Sequence, residues 1–258
     1  MPLKNCSANV PSSHMLQETL AIILSKKQFK DENFIVSAYT EKFGRVNYTV
    51  YGAHSRQGGR KLAFLQPMSV VTIMADYRPK RDLQVLRDVS CSTPLMSLLA
   101  DPVKNTMAMF LAEFLTHALR TNEEDRFLYL FLRDSILWLD LTPSDKIGNF
   151  HISFLVRLSV FLGFTPNLGP EQSDMLYFDL LNSEYMRYAR PNADLIDPEE
   201  QHFLRKLLRI NYRNMHLFLF SRDERSNLLN RIIRYYQIHI HGFGQLKSVD
   251  VLREVFDF

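Results

Sequence analysis

Residues 40–61 read TEKFGRVNYTVYGAHSRQGGRK, and the first half of this stretch decides the fold. Lys42-Phe43-Gly44 is a short turn, and from Gly44 onward Val46, Tyr48 and Val50 point one way while Arg45, Asn47, Thr49 and Tyr51 point the other. A period of two marks a β-strand with one face in a core. The run before the turn, Asn33–Thr40, carries Phe34, Ile35, Val36 and Tyr39, so the two runs form a hairpin. Similar runs at 19–25, 69–75 and 83–89 bring the count to five short strands. That number and spacing predicts a small closed barrel such as the OB-fold, and an SH3-like barrel fits the pattern almost as well.

The same stretch has an unusual charge. After Glu41 the next acidic residue is Asp76, and between them stand Lys42, Arg45, Arg56, Arg60 and Lys61, interleaved with Phe43, Tyr48 and Tyr51. The whole chain of 258 residues carries only +3, with 46% hydrophobic and 23% charged residues, the composition of a soluble globular protein. The charge is uneven: residues 1–93 sum to +6 and residues 94–258 to −3. A basic front and a mildly acidic back suggest two domains, placed at 15–92 and 93–258. Residues 1–14 lack the apolar core of a signal peptide and are expected to be a disordered tail. The only cysteines, Cys6 and Cys91, build neither a disulfide framework nor a cysteine zinc site, which fits a reducing cytoplasm. No apolar run approaches the roughly 18 residues of a membrane helix.

The back half reads as helical. Asp101-Pro102 offers an N-cap acceptor followed by proline in the first turn, and Val103, Met107, Phe110, Leu111, Phe114, Leu115 and Ala118 follow at helical spacing. A second helix is expected from about Asn122 and a third from about Asp145 to Leu162, stopped by Gly163. Asp197-Pro198 repeats the start signal, and Ser221-Arg222-Asp223-Glu224 reads as a capping box for a helix ending at Gly242. Residues 164–197 show no period and are expected to be irregular.

Strand-borne cations with aromatic rings between them suit a nucleic-acid surface, since Lys and Arg neutralise phosphates and rings stack on unpaired bases. On an OB-fold the second and third strands and the loops after strands 1 and 4 do this binding. The candidate set is therefore Lys26, Lys27 and Lys30; Lys42, Arg45, Tyr48, Tyr51, Arg56, Arg60 and Lys61; and Arg78, Lys80 and Arg81. An ordinary solvated barrel face with Tyr48 in the core is the competing reading.

At this point a family resemblance emerges. The run from Lys30-Asp31-Glu32-Asn33 through Tyr39-Thr40-Glu41-Lys42-Phe43-Gly44-Arg45 to Tyr51-Gly52-Ala53, then Leu65-Gln66-Pro67-Met68, resembles the RecO family of bacterial recombination mediators. Leu162-Gly163-Phe164-Thr165-Pro166 and Leu246-Lys247-Ser248 are similar to that family's later motifs, so the resemblance covers roughly Leu16 to Phe258. It implies an α+β protein, an N-terminal five-stranded OB-fold followed by an all-helical domain. It also implies binding of single- and double-stranded DNA, strand annealing, and partnership with RecR and the single-strand-binding protein, at the nucleoid in the cytoplasm. Many members place four zinc-binding cysteines after the Leu-Gly motif; here Asn167-Leu168-Gly169-Pro170 follows and no cysteine does. Residues 164–197 would then be the metal-free counterpart of that module.

A second candidate is a helix over 202–213. At about 100° per residue, His202, Arg205, Lys206, Arg209 and Arg213 share one sector beside the apolar Phe203, Leu204, Leu207 and Ile210. Such a stripe suits an acidic peptide, such as the tail of a single-strand-binding protein, or DNA phosphates; it also suits a plain solvated face. His239-x-His241 is poorly placed for one metal ion, and Gly58-Gly59-Arg60-Lys61 lacks the ending of a phosphate loop. No catalytic motif is visible, so no enzyme, metal or cofactor is expected. The alternative to a DNA-binding mediator is a helical adaptor whose barrel binds only protein.

Overall fold

β1 (Leu16–Phe29) is long enough to serve two neighbours. The computed structural model describes residues 16–29, 32–52, 55–166, 177–200, 206–207 and 209–255, with the side chains of 56, 57 and 199 left out. The expected tail, residues 1–14, lies outside them. The first half of β1 pairs antiparallel with β4 (Val70–Asp76), from Leu16↔Asp76 to Ile22↔Val70. Its second half pairs with β2 (Asn33–Thr40), ending at Phe29↔Asn33. A register shift between Ile23 and Ser25 bends the strand from one partner to the other. β3 (Gly44–Val50) completes the hairpin and lies parallel to β5 (Leu83–Thr93), closing a barrel in the order β1-β2-β3-β5-β4. Ile23, Val36, Tyr48, Val71, Ile73 and Leu86 fill its interior.

Between β3 and β4 stands a helix that the sequence did not announce, α1 (Arg56–Phe64). The Ser55 hydroxyl caps it by accepting from the Gly58 N–H at 3.0 Å. Gly58 and Gly59 are poor helix formers, yet Leu65, fully buried, and Leu62 beside it pack on the barrel interior. Tertiary burial overrides local propensity here. Barrel and helix together make the OB-fold.

The helical region follows the expected caps with shifted boundaries. α2 (Pro102–Ala118) starts at Asp101, whose carboxylate accepts from the N–H groups of Val103 and Lys104. α3 begins at Arg126 rather than near Asn122 (Arg126–Leu141), because Asp125 is the residue whose side chain caps it, accepting from the Leu128 N–H at 2.9 Å. α4 (Phe150–Phe161) is preceded by a separate 3-10 turn at Ser144–Lys146. Asn149 interrupts what looked like one helix, turning its amide to the carbonyls of Met215 and Phe218. The Ser221–Glu224 capping box forms as expected, and α5 (Arg222–His239) ends three residues before Gly242. α6 (Ser248–Val255) packs against α2.

The C-terminal half is not wholly helical. Residues 164–197, expected to be irregular, contain a small sheet of β6 (Tyr177–Asp179), β7 (Glu184–Met186) and β8 (Leu195–Ile196), in the order β7-β6-β8. Such short strands fall below what a periodicity reading can detect. Phe178 is buried with Tyr185 edge-on against it, and the Asp179 carboxylate accepts from the N–H groups of Leu181 and Asn182 and from the Asn182 amide. Arg234 pairs with Asp194 at 2.6 Å and ties the sheet to α5. Among the described residues no group of three or more His, Cys, Asp and Glu is placed to hold a metal ion. Because Cys6 and Cys91 are the only cysteines in the chain, purified protein is expected to contain no stoichiometric zinc by elemental analysis, and chelators should leave its melting temperature unchanged. One zinc per chain would overturn this.

Barrel and helices share a wall. Ile22, Leu24, Tyr39, Met68 and Val70 turn away from the barrel interior and are buried with Phe110 and Phe114 of α2 in the helical core. At the edge of this wall the Arg45 N–H donates to the Thr121 carbonyl at 3.1 Å, and Arg126 lies 3.4 Å from Glu41. Gly44 has φ +59°, and a β-carbon there would lie 3.0 Å from the backbone nitrogen and carbonyl carbon of Glu123, closer still to its oxygen. Gly44→Ala should thus lose at least about 2 kcal/mol of stability, from left-handed strain and a backbone collision. A denaturant midpoint equal to that of the wild type would contradict this.

Candidate nucleic-acid interface and peptide groove

The outer face of β1, β2 and β3 is a set of cross-strand rows. Ser37 stands opposite Ser25 and Asn47; Ile35 stands opposite Lys27 and Thr49; Asn33 stands opposite Phe29, with Tyr51 just beyond Val50. Lys27 is exposed, and Tyr51 and Phe29 are 60% and 44% exposed, so bases can reach both. Phe29 was not singled out from the sequence; its place at the end of a strand carrying lysines is the signal that could have found it. Arg60 on α1 is exposed, and Lys61 donates to the Arg87 carbonyl with Asp88 at 3.8 Å.

The loop between β4 and β5 is the second basic element. Gln84, 3% exposed, holds its shape: its side-chain Oε1 accepts from the Arg78 N–H, and its side-chain Nε2 donates to the carbonyls of Arg78 and Arg81. Lys80 and Arg81 are thereby presented, exposed, on a braced loop. Gln84 pairs with Tyr48 across the parallel β3–β5 contact, which connects this loop to the middle of β3. Arg87, also overlooked in the sequence, lies 3.7 Å from Asp76, and Arg78 lies 3.4 Å from the same carboxylate. The loop reaches the β2–β3 turn through Phe43 and Tyr77, stacked at 3.9 Å. Lys42 in that turn is exposed and donates to the Glu18 carbonyl at 2.7 Å.

Several sequence candidates stand elsewhere. Tyr48 is 1% exposed inside the barrel and cannot stack on a base; burial pushes its phenol pKa up. Its place follows from the strand alternation with Val46 and Val50. Arg45 turns to the helical region: one guanidinium nitrogen donates to the carbonyls of Thr116 and Leu119, both at 2.7 Å, and another to the Ser37 hydroxyl at 3.2 Å. It serves the C-terminus of α2, where free carbonyls and the helix dipole favour a cation. Burial and then the charge of Arg120 hold its pKa down. Lys26 follows Val36 toward the barrel end and points its amine at the Leu62 carbonyl, 3.4 Å away, with burial lowering its pKa. Arg60 and Lys61 belong to α1 rather than to the hairpin, and Arg56 opens that helix. Lys30 lies outside the described residues.

The 202–213 stripe is broken up. His202 and Arg205 lie outside the described residues, and Lys206 sits 5.6 Å from the centre of the Phe220 ring. The chain leaves the helix at Ile210. Asn211 ends it by accepting from the N–H groups of Arg213 and Asn214, so Arg213 stands on a turn. Arg209 and Arg213 nevertheless meet at a groove of about 600 Å³, joined by Arg157 of α4. Phe131, Val156, Val160, Ile210 and Tyr212 give the groove an apolar lining. Tyr212 is fixed by stacking on Trp138 and Phe150 and by donating to the Ser135 hydroxyl at 2.7 Å. Three guanidinium groups around an apolar floor fit a carboxylate-bearing peptide with a large apolar side chain.

His239 donates through Nε2 to the Leu180 carbonyl at 2.9 Å and stacks on Phe164, which leaves it a packing residue, while His241 is exposed. No helix among the described residues is long and apolar enough to cross a membrane.

Against known proteins, residues 15–95 match the family description Recombination protein O N terminal, and residues 99–249 match Recombination protein O C terminal. The chain is 41% identical over 245 residues to the DNA repair protein RecO of Bacteroides fragilis, covering 94% of this chain and 100% of that one. It is 39% identical over 242 residues to the protein of the same name in Phocaeicola vulgatus, with 94% and 100% covered. The corresponding protein of Flavobacterium johnsoniae is 31% identical over 240 residues, covering 93% and 98%.

Proposed function

The chain belongs to the RecO family of DNA repair proteins, and from that premise we propose that it is a non-catalytic recombination mediator. In this reading it binds single- and double-stranded DNA, anneals complementary strands, and works with RecR and the single-strand-binding protein. The observation that carries the DNA part is the outer barrel face with Lys27, Tyr51 and Phe29, flanked by the exposed Arg60, Lys80 and Arg81. No carboxylate lies in sequence between Glu41 and Asp76 to oppose an approaching phosphate along β3 and α1. The mechanism needs no bond chemistry. Cations neutralise the backbone and release counterions, while aromatic rings take unpaired bases and leave their pairing edges open to a second strand.

The groove lined by Arg157, Arg209 and Arg213 is assigned, on the same footing, to the acidic, hydrophobic-ended tail of the single-strand-binding protein. Charge sets the tail's orientation and the apolar floor takes its terminal side chain. Partnership with RecR rests on family membership alone.

Titrating labelled single-stranded DNA at several salt concentrations tests the reading. Log affinity should fall linearly with log salt, by about 0.7 for each phosphate neutralised. Absent or salt-independent binding would leave a barrel that binds protein only.

A further inference from the structure

Where α2 ends against the barrel, positive groups from both halves converge. Arg45 of β3 holds the carbonyls of Thr116 and Leu119, and Arg120 donates to those of His117, His241 and Gly242. The His117 ring accepts from the Gly244 N–H through Nδ1 at 3.3 Å, so Nε2 carries the proton and is a donor. Lys27 stands on the same outer face, opposite Ile35 and one row along β2 from Ser37, to whose hydroxyl Arg45 donates. Burial lowers the pKa of His117; Glu113 opposes that shift, while Arg120, Arg45 and Lys27 add to it.

Glu113 is the carboxylate that opposes burial at His117, and it is already occupied. Its two oxygens accept from the N–H groups of Lys247 and Ser248 and from the Ser248 hydroxyl. Two guanidinium groups also outweigh the roughly half negative charge of a helix C-terminus. What is left is a positive seam along one border of the β1–β2–β3 face, one side built by the barrel and the other by α2.

We propose that this seam holds a backbone phosphate of the bound DNA strand between Lys27 on one side and His117 Nε2 and Arg120 on the other. The inference rests on the DNA-binding reading above and extends it: a strand on the barrel face touches the helical half as well. Arg45 lies beneath the phosphate and keeps the two sides together.

The test uses the full chain and a fluorescein-labelled oligothymidylate. His117→Glu should weaken binding about tenfold and flatten the log–log salt slope by about 0.7. Lys27→Glu should do the same. The double variant should lose much less than the product of the two single losses, because both residues meet one phosphate. Wild-type affinity in His117→Glu, or losses that multiply, would overturn the proposal while leaving barrel binding intact. Failure of the wild type to bind would sink both together.

Should His117→Glu lose cooperative melting, the wild type decides. Bound oligothymidylate should protect His117 from diethyl pyrocarbonate, read by peptide mass mapping. Equal modification with and without the oligonucleotide would overturn the assignment.

Discussion

Replacing Arg60, Lys80 and Arg81 together by Glu is expected to weaken binding of single-stranded DNA at least about a hundredfold and to flatten its salt slope by about two units. Each of the three is exposed on α1 or on the loop braced by Gln84, so reversal changes the surface and not the fold. Three phosphates that no longer shed counterions account for the slope. Arg45 looks from the sequence like an equally good target, yet it is a poor one. Its guanidinium holds the end of α2, and Glu at that position would place a carboxylate against the Thr116 and Leu119 carbonyls. A folded triple variant with wild-type affinity and slope would remove DNA from this face.

The second large effect concerns the groove. Arg209→Glu should reduce binding of a synthetic acidic peptide ending in phenylalanine by at least about a hundredfold, since a charge-assisted contact becomes a repulsion. Binding of naked DNA should stay within about twofold of the wild type, because the groove is built from α3, α4, Thr165 and residues 209–213 and includes no barrel residue. A parallel loss of DNA and peptide binding would make the groove part of a DNA track. No change in either would leave Arg157, Arg209 and Arg213 as a solvated rim.

The barrel was legible because its strands alternate cleanly. Val46, Tyr48 and Val50 declare an inner face, and that alternation already implied that Tyr48 lies inside while Tyr51 lies outside. The same rule put Arg45 on an outer face, correctly, without revealing that the end of α2 covers that face at Arg45. Burial by a distant segment leaves no local mark. α1 was missed for the opposite reason: two glycines weaken its helical signal, and only contact with the barrel makes it stable. In the helical half, caps were read well where a side chain has one available use, as at Asp101 and Ser221. The helix expected from about Asp145 instead starts at Phe150, after Asn149, whose amide answers to carbonyls 66 and 69 residues away. The groove was half visible. Arg209 and Arg213 stood out as charges, but Arg157 and the apolar floor belong to elements that only the fold brings beside them.

The shared wall also fixes what can move. Ile22, Leu24, Tyr39, Met68 and Val70 are at once the outside of the barrel and the inside of the helical core. A cut in the linker after β5 would release a barrel with a bare apolar flank, not an independent module. Nor does this wall leave a hinge: swinging the barrel away would put those five side chains in water and pull Arg45 from its carbonyls. The molecule is therefore a rigid jig. On the proposed function, a strand bound on its face and a peptide bound in its groove would be held at one set distance, and any realignment during annealing would fall to the nucleic acid.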